Sequence, residues 1–252
     1  MKVIAIIPAR HASTRLPGKS LLAETGKPLI QHVVEAVGAA RSVERVLVAT
    51  DDERIASAVA GFGGRALMTR PDHPSGTDRI AEAAAGLDLA GTDIIVNVQG
   101  DEPEMEADHV DALVDLLAAS RAPMATLAAP LDSSAAEDPA CVKVVTAADG
   151  SALYFSRAPI PFDRDGAGCE RLLHLGVYAY RKAFLLEFAA MPPGRLEQIE
   201  RLEQLRALEA GHRIAVARVP SAVAGIDTRN DYAAFVARYR GKGAATGAGE
   251  IG

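Results

Sequence analysis

Two periods alternate along the first half of the chain. KVIAII (2–7), VERVLVAT (43–50), RALMT (65–69) and DIIVNVQG (93–100) are short aliphatic, β-branched runs, and they predict strands. Between them lie KPLIQHVVEAVGAA (27–40), DDERIASAVAGFG (51–63), SGTDRIAEAAAGL (75–87) and EADHVDALVDLLAAS (106–120). These four predict helices, each with one apolar face. In the first, positions 29, 30, 33, 34 and 37 share that face, and Pro28 suits the opening turn. The second opens on acidic residues and closes on glycine. The cap of the third lies among Ser75, Thr77 and Asp78. Strand–helix alternation at this spacing predicts an α/β fold, a parallel sheet covered on both faces. In such a sheet, ligands sit beyond the carboxyl ends of the strands.

The second half changes character. VKVVTAADGSALYFSR (142–157) has two β-rich runs around Asp149-Gly150, a hairpin signal. LHLGVYAYR (173–181) and RIAVARV (213–219) predict strands. RLEQIERLEQLRALEAG (195–211) predicts one strongly periodic helix, and NDYAAFVARYR (230–240) a closing helix. The Pro-, Gly- and charge-rich stretch after Arg157 reads as a loop, and residues 241–252 as a disordered tail.

Composition narrows the function. The chain has 252 residues, 49% of them hydrophobic, enough for a sizeable core in one domain spanning 1–240. A formal net charge of −6 argues against general affinity for nucleic acid or acidic membranes, so any anion site must be local. Two cysteines without CxxC spacing argue against a disulfide framework or a zinc site. No stretch approaches the length of a membrane span, so a cytoplasmic protein is expected.

Against this acidic background, IIPARHASTRLPGKSLL places Arg10, His11, Arg15 and Lys19 just after the first strand. Guanidinium forks and an ammonium at a strand end point to phosphate binding, although neither GxxxxGK[ST] nor GxGxxG is present. VNVQGDEP ends a strand in Asp101 and Glu102. Asp101 stands where a carboxylate holds Mg²⁺, and a helix N-cap accounts for it less well than for Glu102. The Ser75–Thr77 turn could lie against a base or simply cap its helix. Asp227 in GIDT could be a second metal carboxylate or, with equal weight, a helix cap.

Together with VATDDERIA, HPSGTDRIAEA, MATLAAPL, ALYFSRAPIP, HLGVYAYR and LEQIERLEQLRALE, these segments resemble the sugar cytidylyltransferases acting on 2-keto acid sugars, in the family's order and up to about Tyr239. The resemblance is strongest to those using 3-deoxy-manno-octulosonate (KDO). It implies a Rossmann-like nucleotide-diphospho-sugar transferase fold with a mixed, mostly parallel sheet, usually in a homodimer. It implies CTP and KDO as substrates, CMP-KDO and pyrophosphate as products, Mg²⁺ as cofactor, and a place in lipopolysaccharide synthesis. By the same resemblance Arg10, Arg15 and Lys19 hold the triphosphate. Asp101 and Asp227 hold the metal, and Ser75, Gly76 and Arg79 lie near the cytosine. Gln99, Arg157, His174, Tyr178, Glu203 and Gln204 line the sugar pocket, with Arg157 suited to the sugar carboxylate. Two departures stand out: a short loop at 163–172, and Arg229-Asn230 where Pro-Glu is common. The rival readings are a cytidylyltransferase for an 8-amino analogue or a sialic acid, and a non-catalytic nucleotide-binding regulator. His11 has no role on this reading.

Overall fold

The computed structural model describes residues 1–11 and 16–247. Arg15 and the last five residues of the expected tail lie outside the described part. The first half follows the predicted alternation. Strands β1 (Val3–Ala9), β2 (Arg45–Thr50), β3 (Ala66–Met68) and β4 (Ile94–Asn97) are separated by helices α1 (Leu29–Gly38), α2 (Glu53–Gly61) and α3 (Gly76–Ala85). Helix α4 (Ala107–Ala119) then leads to β5 (Met124–Pro130). Next come the hairpin β6 (Lys143–Thr146) and β7 (Ala152–Ser156), β8 (Leu172–Arg181) and α5 (Lys182–Ala190). The chain ends with α6 (Arg195–Glu200), α7 (Leu205–Glu209), β9 (Ile214–Arg218) and α8 (Arg229–Gly247).

The main sheet runs β3-β2-β1-β4-β8-β5-β9, with β6 and β7 attached beside β8. β1 pairs in parallel with β2 and β4, β2 with β3, and β5 with β9. Only β8 runs against its main-sheet neighbours, β4 and β5. The sheet is therefore mixed and mostly parallel. Alternation along β1 sorts its side chains between two cores: Ala5 and Ile7 meet the faces of α1, α2 and α4, while Ile4 and Ile6 meet α3, α5 and α7. A smaller cluster seats Tyr232, Phe235 and Val236 of α8 against Leu16 and Leu29, close to the first loop.

Three differences from the sequence expectation have physical causes. The helix expected over 195–211 is two short helices, broken at Arg201, whose φ of 56° is left-handed. An unbroken helix would hold Glu197 and Arg206 about 13.5 Å apart along its axis. Across the break Arg206 instead donates to both Glu197 carboxylate oxygens, at 2.8 and 2.6 Å. The closing helix runs to Gly247, past the expected end at 240, so the first part of the expected tail is helical; Ala244 and Ala245 favour that extension. Strand β5 and helix α5 were not assigned from periodicity, because MATLAAP and KAFLLEFAA are short and apolar on all sides.

Candidate active site

β1 and β4 end side by side, and the chain leaving each forms one wall of a cleft of about 250 Å³. Close backbone approach sets its middle: a Cβ on Gly100 would meet the Pro8 carbonyl oxygen at 2.8 Å, so only glycine fits there. Gly76, at the start of α3, packs on the Pro8 ring from the other side and lies near the Gln99 amide oxygen. The cleft therefore runs from His73, Pro74, Ser75, Gly76 and Arg79 at one end, past Pro8 and Gln99, to Asp101, Lys19 and Asp227 at the other. Arg10 also lines it, with an exposed side chain.

The charged end is built on the first loop. Gly18 takes a left-handed φ of 68° and donates its amide to the His11 carbonyl oxygen at 3.1 Å. The His11 ring packs against the open face of Gly18. His11 thus acquires a structural role, closing the loop that carries Lys19. The Lys19 ammonium donates to Asp101 Oδ2 at 2.5 Å and to the Ile226 carbonyl at 3.1 Å, and lies 3.7 Å from Asp227 Oδ1. Asp101 and Asp227 thus converge on one cation. Among the described residues no third His, Cys, Asp or Glu completes an all-protein metal cage. Two carboxylates suit a hard divalent ion that keeps water and phosphate oxygens as its other ligands, so the residues fit Mg²⁺. Next to Asp101, one oxygen of Glu102 is buried without a hydrogen-bond partner among the described residues. Burial, and then the Asp101 charge, push the Glu102 carboxyl up to about 8.

The other end is lined by His73, Pro74, Ser75, Gly76 and Arg79. Ser75 caps α3, accepting from the Asp78 amide at 3.1 Å. Arg79 is buried and already committed: it donates to Thr69 Oγ1 at 2.6 Å and lies 3.3 Å from Asp51. Of the sequence-predicted sugar residues, Gln99 lines the cleft and Glu203 reaches this end through Ser75, whereas His174, Tyr178 and Gln204 are not among its lining residues. Glu203, turned inward by the break at Arg201, accepts from Ser75 Oγ at 2.9 Å and Thr77 Oγ1 at 2.5 Å. Burial raises its carboxyl despite those hydrogen bonds and Arg206. Gln204 is buried, and its side-chain nitrogen has no partner among the described residues. Tyr178 lies across from Asn97 in the β4–β8 register, and its ring is 5.5 Å from that of His174. His174 is within 3.0 Å of Thr126 Oγ1, and burial pushes its imidazole down to about 3.

Arg157 is set apart. Its guanidinium donates to the carbonyl oxygens of Glu200 at 2.8 Å, Pro139 at 2.7 Å and Arg201 at 3.4 Å, where the hairpin meets the end of α6. It braces the turn that carries Glu203 and Gln204 and does not line the cleft. His73 was not singled out as a candidate, and Thr77 only as one end of the Ser75–Thr77 turn. Both stand inside the quoted HPSGTDR segment, but nothing in their spacing separates them from ordinary cap residues.

Comparisons with known proteins identify the family. The cytidylyltransferase family model matches residues 4–214. A 3-deoxy-manno-octulosonate cytidylyltransferase of Syntrophobacter fumaroxidans is 55% identical over 240 residues, covering 94% of this chain and 96% of the relative. An 8-amino-3,8-dideoxy-manno-octulosonate cytidylyltransferase of a Shewanella strain is 48% identical over 236 residues, covering 92% of this chain and 96% of the relative. A CMP:2-keto-3-deoxy-manno-octonic acid synthetase solved with CTP superposes with a TM-score of 0.92 at 42% identity, over 96% of this chain and all of the other.

Proposed function

The chain belongs to the cytidylyltransferase family, and from that premise we propose that it transfers CMP from CTP to the anomeric hydroxyl of KDO, giving CMP-KDO and pyrophosphate for lipopolysaccharide synthesis. The observation that carries the reading is the meeting of Lys19, Asp101 and Asp227 in a cleft that the Ser75–Gly76 turn also lines. The anomeric hydroxyl oxygen attacks the α-phosphorus in line and gives up its proton to solvent. A new P–O bond forms, the bond to the bridging oxygen breaks, and pyrophosphate leaves. Little covalent chemistry is asked of the protein, so positioning and charge stabilisation dominate. Mg²⁺ held by Asp101 and Asp227 would supply charge neutralisation at the triphosphate. Lys19 and Arg10 face the phosphates, and Arg15 joins them on the family resemblance. The Ser75–Gly76 turn lets the base approach backbone closely. Gln99, Glu203 and the unpaired amide of Gln204 offer hydrogen bonds to sugar hydroxyls, with Tyr178 and His174 as the apolar wall.

Pyrophosphate release followed with CTP, UTP, ATP and GTP against several keto-acid sugars tests the proposal. Release with CTP, KDO and Mg²⁺ together, lost on chelation, is expected. No release with CTP and KDO would overturn it. The same panel decides the second reading, favoured by the Shewanella relative: a higher kcat/KM for the 8-amino sugar would reassign the acceptor. A cytoplasmic homodimer completes the proposal. In its support, no helix among the described residues is long and apolar enough to cross a membrane. Among the described residues β7 pairs with β6, Ser151 just before it bridges Ala215 of β9, and Leu153 on it is 61% exposed, which offers an edge to a second copy.

A further inference from the structure

His73 lines the cleft beside Ser75 and Arg79, with a side chain only 5% exposed. Its Nε2 meets the carboxylate of Glu82, one turn further along α3 than Asp78. Glu82 also accepts from the Arg70 backbone amide at 3.3 Å and side chain at 3.4 Å. Burial works against the Glu82 charge, but the hydrogen bonds from His73 and Arg70 outweigh it and hold the carboxyl below its usual range. A carboxylate can only accept, so Nε2 carries a proton. In the neutral ring this leaves Nδ1 as an acceptor, and Nδ1 makes no hydrogen bond within the described residues. The other polar groups at this end have partners: Arg79 is tied to Thr69 and Asp51, and the Ser75 hydroxyl to Asp78 and Glu203.

Resting on the cytidylyltransferase reading, we infer that His73, held in one tautomer by Glu82, reads the exocyclic amino group of the base and so separates CTP from UTP. Cytosine presents an amino donor where uracil presents a carbonyl oxygen. A fixed imidazole acceptor pairs with the first and opposes the second. The phosphates are drawn to the opposite end by Lys19 and the two carboxylates, which leaves the base beside Pro74 and His73. Glu82 is a positioning residue: it touches no substrate and acts by fixing the imidazole.

The test compares kcat/KM for CTP, UTP and a CTP analogue lacking the 4-amino group, with KDO and Mg²⁺ saturating. The intact protein should use the analogue about tenfold less well than CTP, the worth of one ordinary hydrogen bond. In His73→Leu the CTP-to-analogue ratio should fall to near one through a raised KM for CTP, while the KM for KDO stays within about twofold. Glu82→Gln should lower the CTP-to-UTP ratio less, because a glutamine can still orient the ring. Equal use of CTP and the analogue by the intact protein would overturn the inference, whether or not either variant folds. Equal losses for CTP and UTP in a folded His73→Leu would also overturn it, placing His73 on the ribose or phosphates. An intact protein releasing no pyrophosphate from CTP and KDO would sink the activity itself, which is a separate outcome.

Discussion

At the scale of single residues, the carboxylates carry the sharpest expectation. Asp101 accepts from Lys19 and lies beside the Ile226 amide, which donates to the Asp101 backbone oxygen at 2.8 Å. Asp101→Asn keeps the shape and removes the charge that holds a cation. Turnover should fall by about a hundredfold or more, with an unchanged melting curve. Near-normal CMP-KDO formation by the folded variant would remove Asp101 from the metal site. His174 gives a pH prediction. Its imidazole titrates at about 3 in the fold because burial disfavours the charged form. Below the unfolded value of roughly 6.5 the unfolded chain takes up a proton that the fold refuses. Stability from this group is therefore full above that value and is lost as pH falls toward 3. Between pH 7 and pH 5 the loss is about 2 kcal/mol. His174→Phe, packed beside Phe155 and Tyr178, should lose less stability over that interval in urea titrations. An identical loss in both proteins would refute the assignment.

At the scale of elements, the break between α6 and α7 matters most. Its apolar period reads as one helix, and nothing local forbids that helix, since Arg201 and Leu202 are ordinary helix residues. The break is imposed from a distance. Glu203 bonds to Ser75 and Thr77 on α3. Arg206 bonds to Glu197 and to the Phe188 and Met191 carbonyls, and stacks 4.9 Å over the Phe188 ring. Arg206→Ala would leave Glu197 with a largely buried, unpaired charge, so it should cost about 3 kcal/mol and raise the KM for KDO. A variant equally stable and with the same KM would show that the turn is held by other contacts. By contrast, the loop after β1 was readable as a phosphate-facing element because its charges are adjacent in sequence. What it could not reveal was that His11 closes the loop on Gly18, a contact between a backbone carbonyl and a left-handed glycine.

At the scale of the whole molecule, β8 is the strand that makes the main sheet mixed. It enters the sheet antiparallel between β4 and β5, bringing Tyr178 beside Asn97 and His174 beside Ala128. The hairpin that precedes it carries the open edge of β7. If that edge joins two copies, light scattering should give about twice the chain mass of 26.3 kDa. Leu153→Asp on the exposed face should then shift the protein toward one chain. A monomer at working concentration would remove the dimer from the proposal.

The order of residues by itself determined the parallel half of the sheet and the positions of Lys19, Ser75 and Asp101. Period-2 and period-3.6 patterns are local, and a charge after a buried strand must emerge at its carboxyl end. Tertiary structure alone decided that Lys19 meets Ile226 and Asp227, since the Ile226 contact spans 207 residues. It also decided that Arg157 braces a turn and that His73 is held by Glu82 against the cleft. Those outcomes depend on which helix ends share one mouth of the sheet, and no local pattern encodes that.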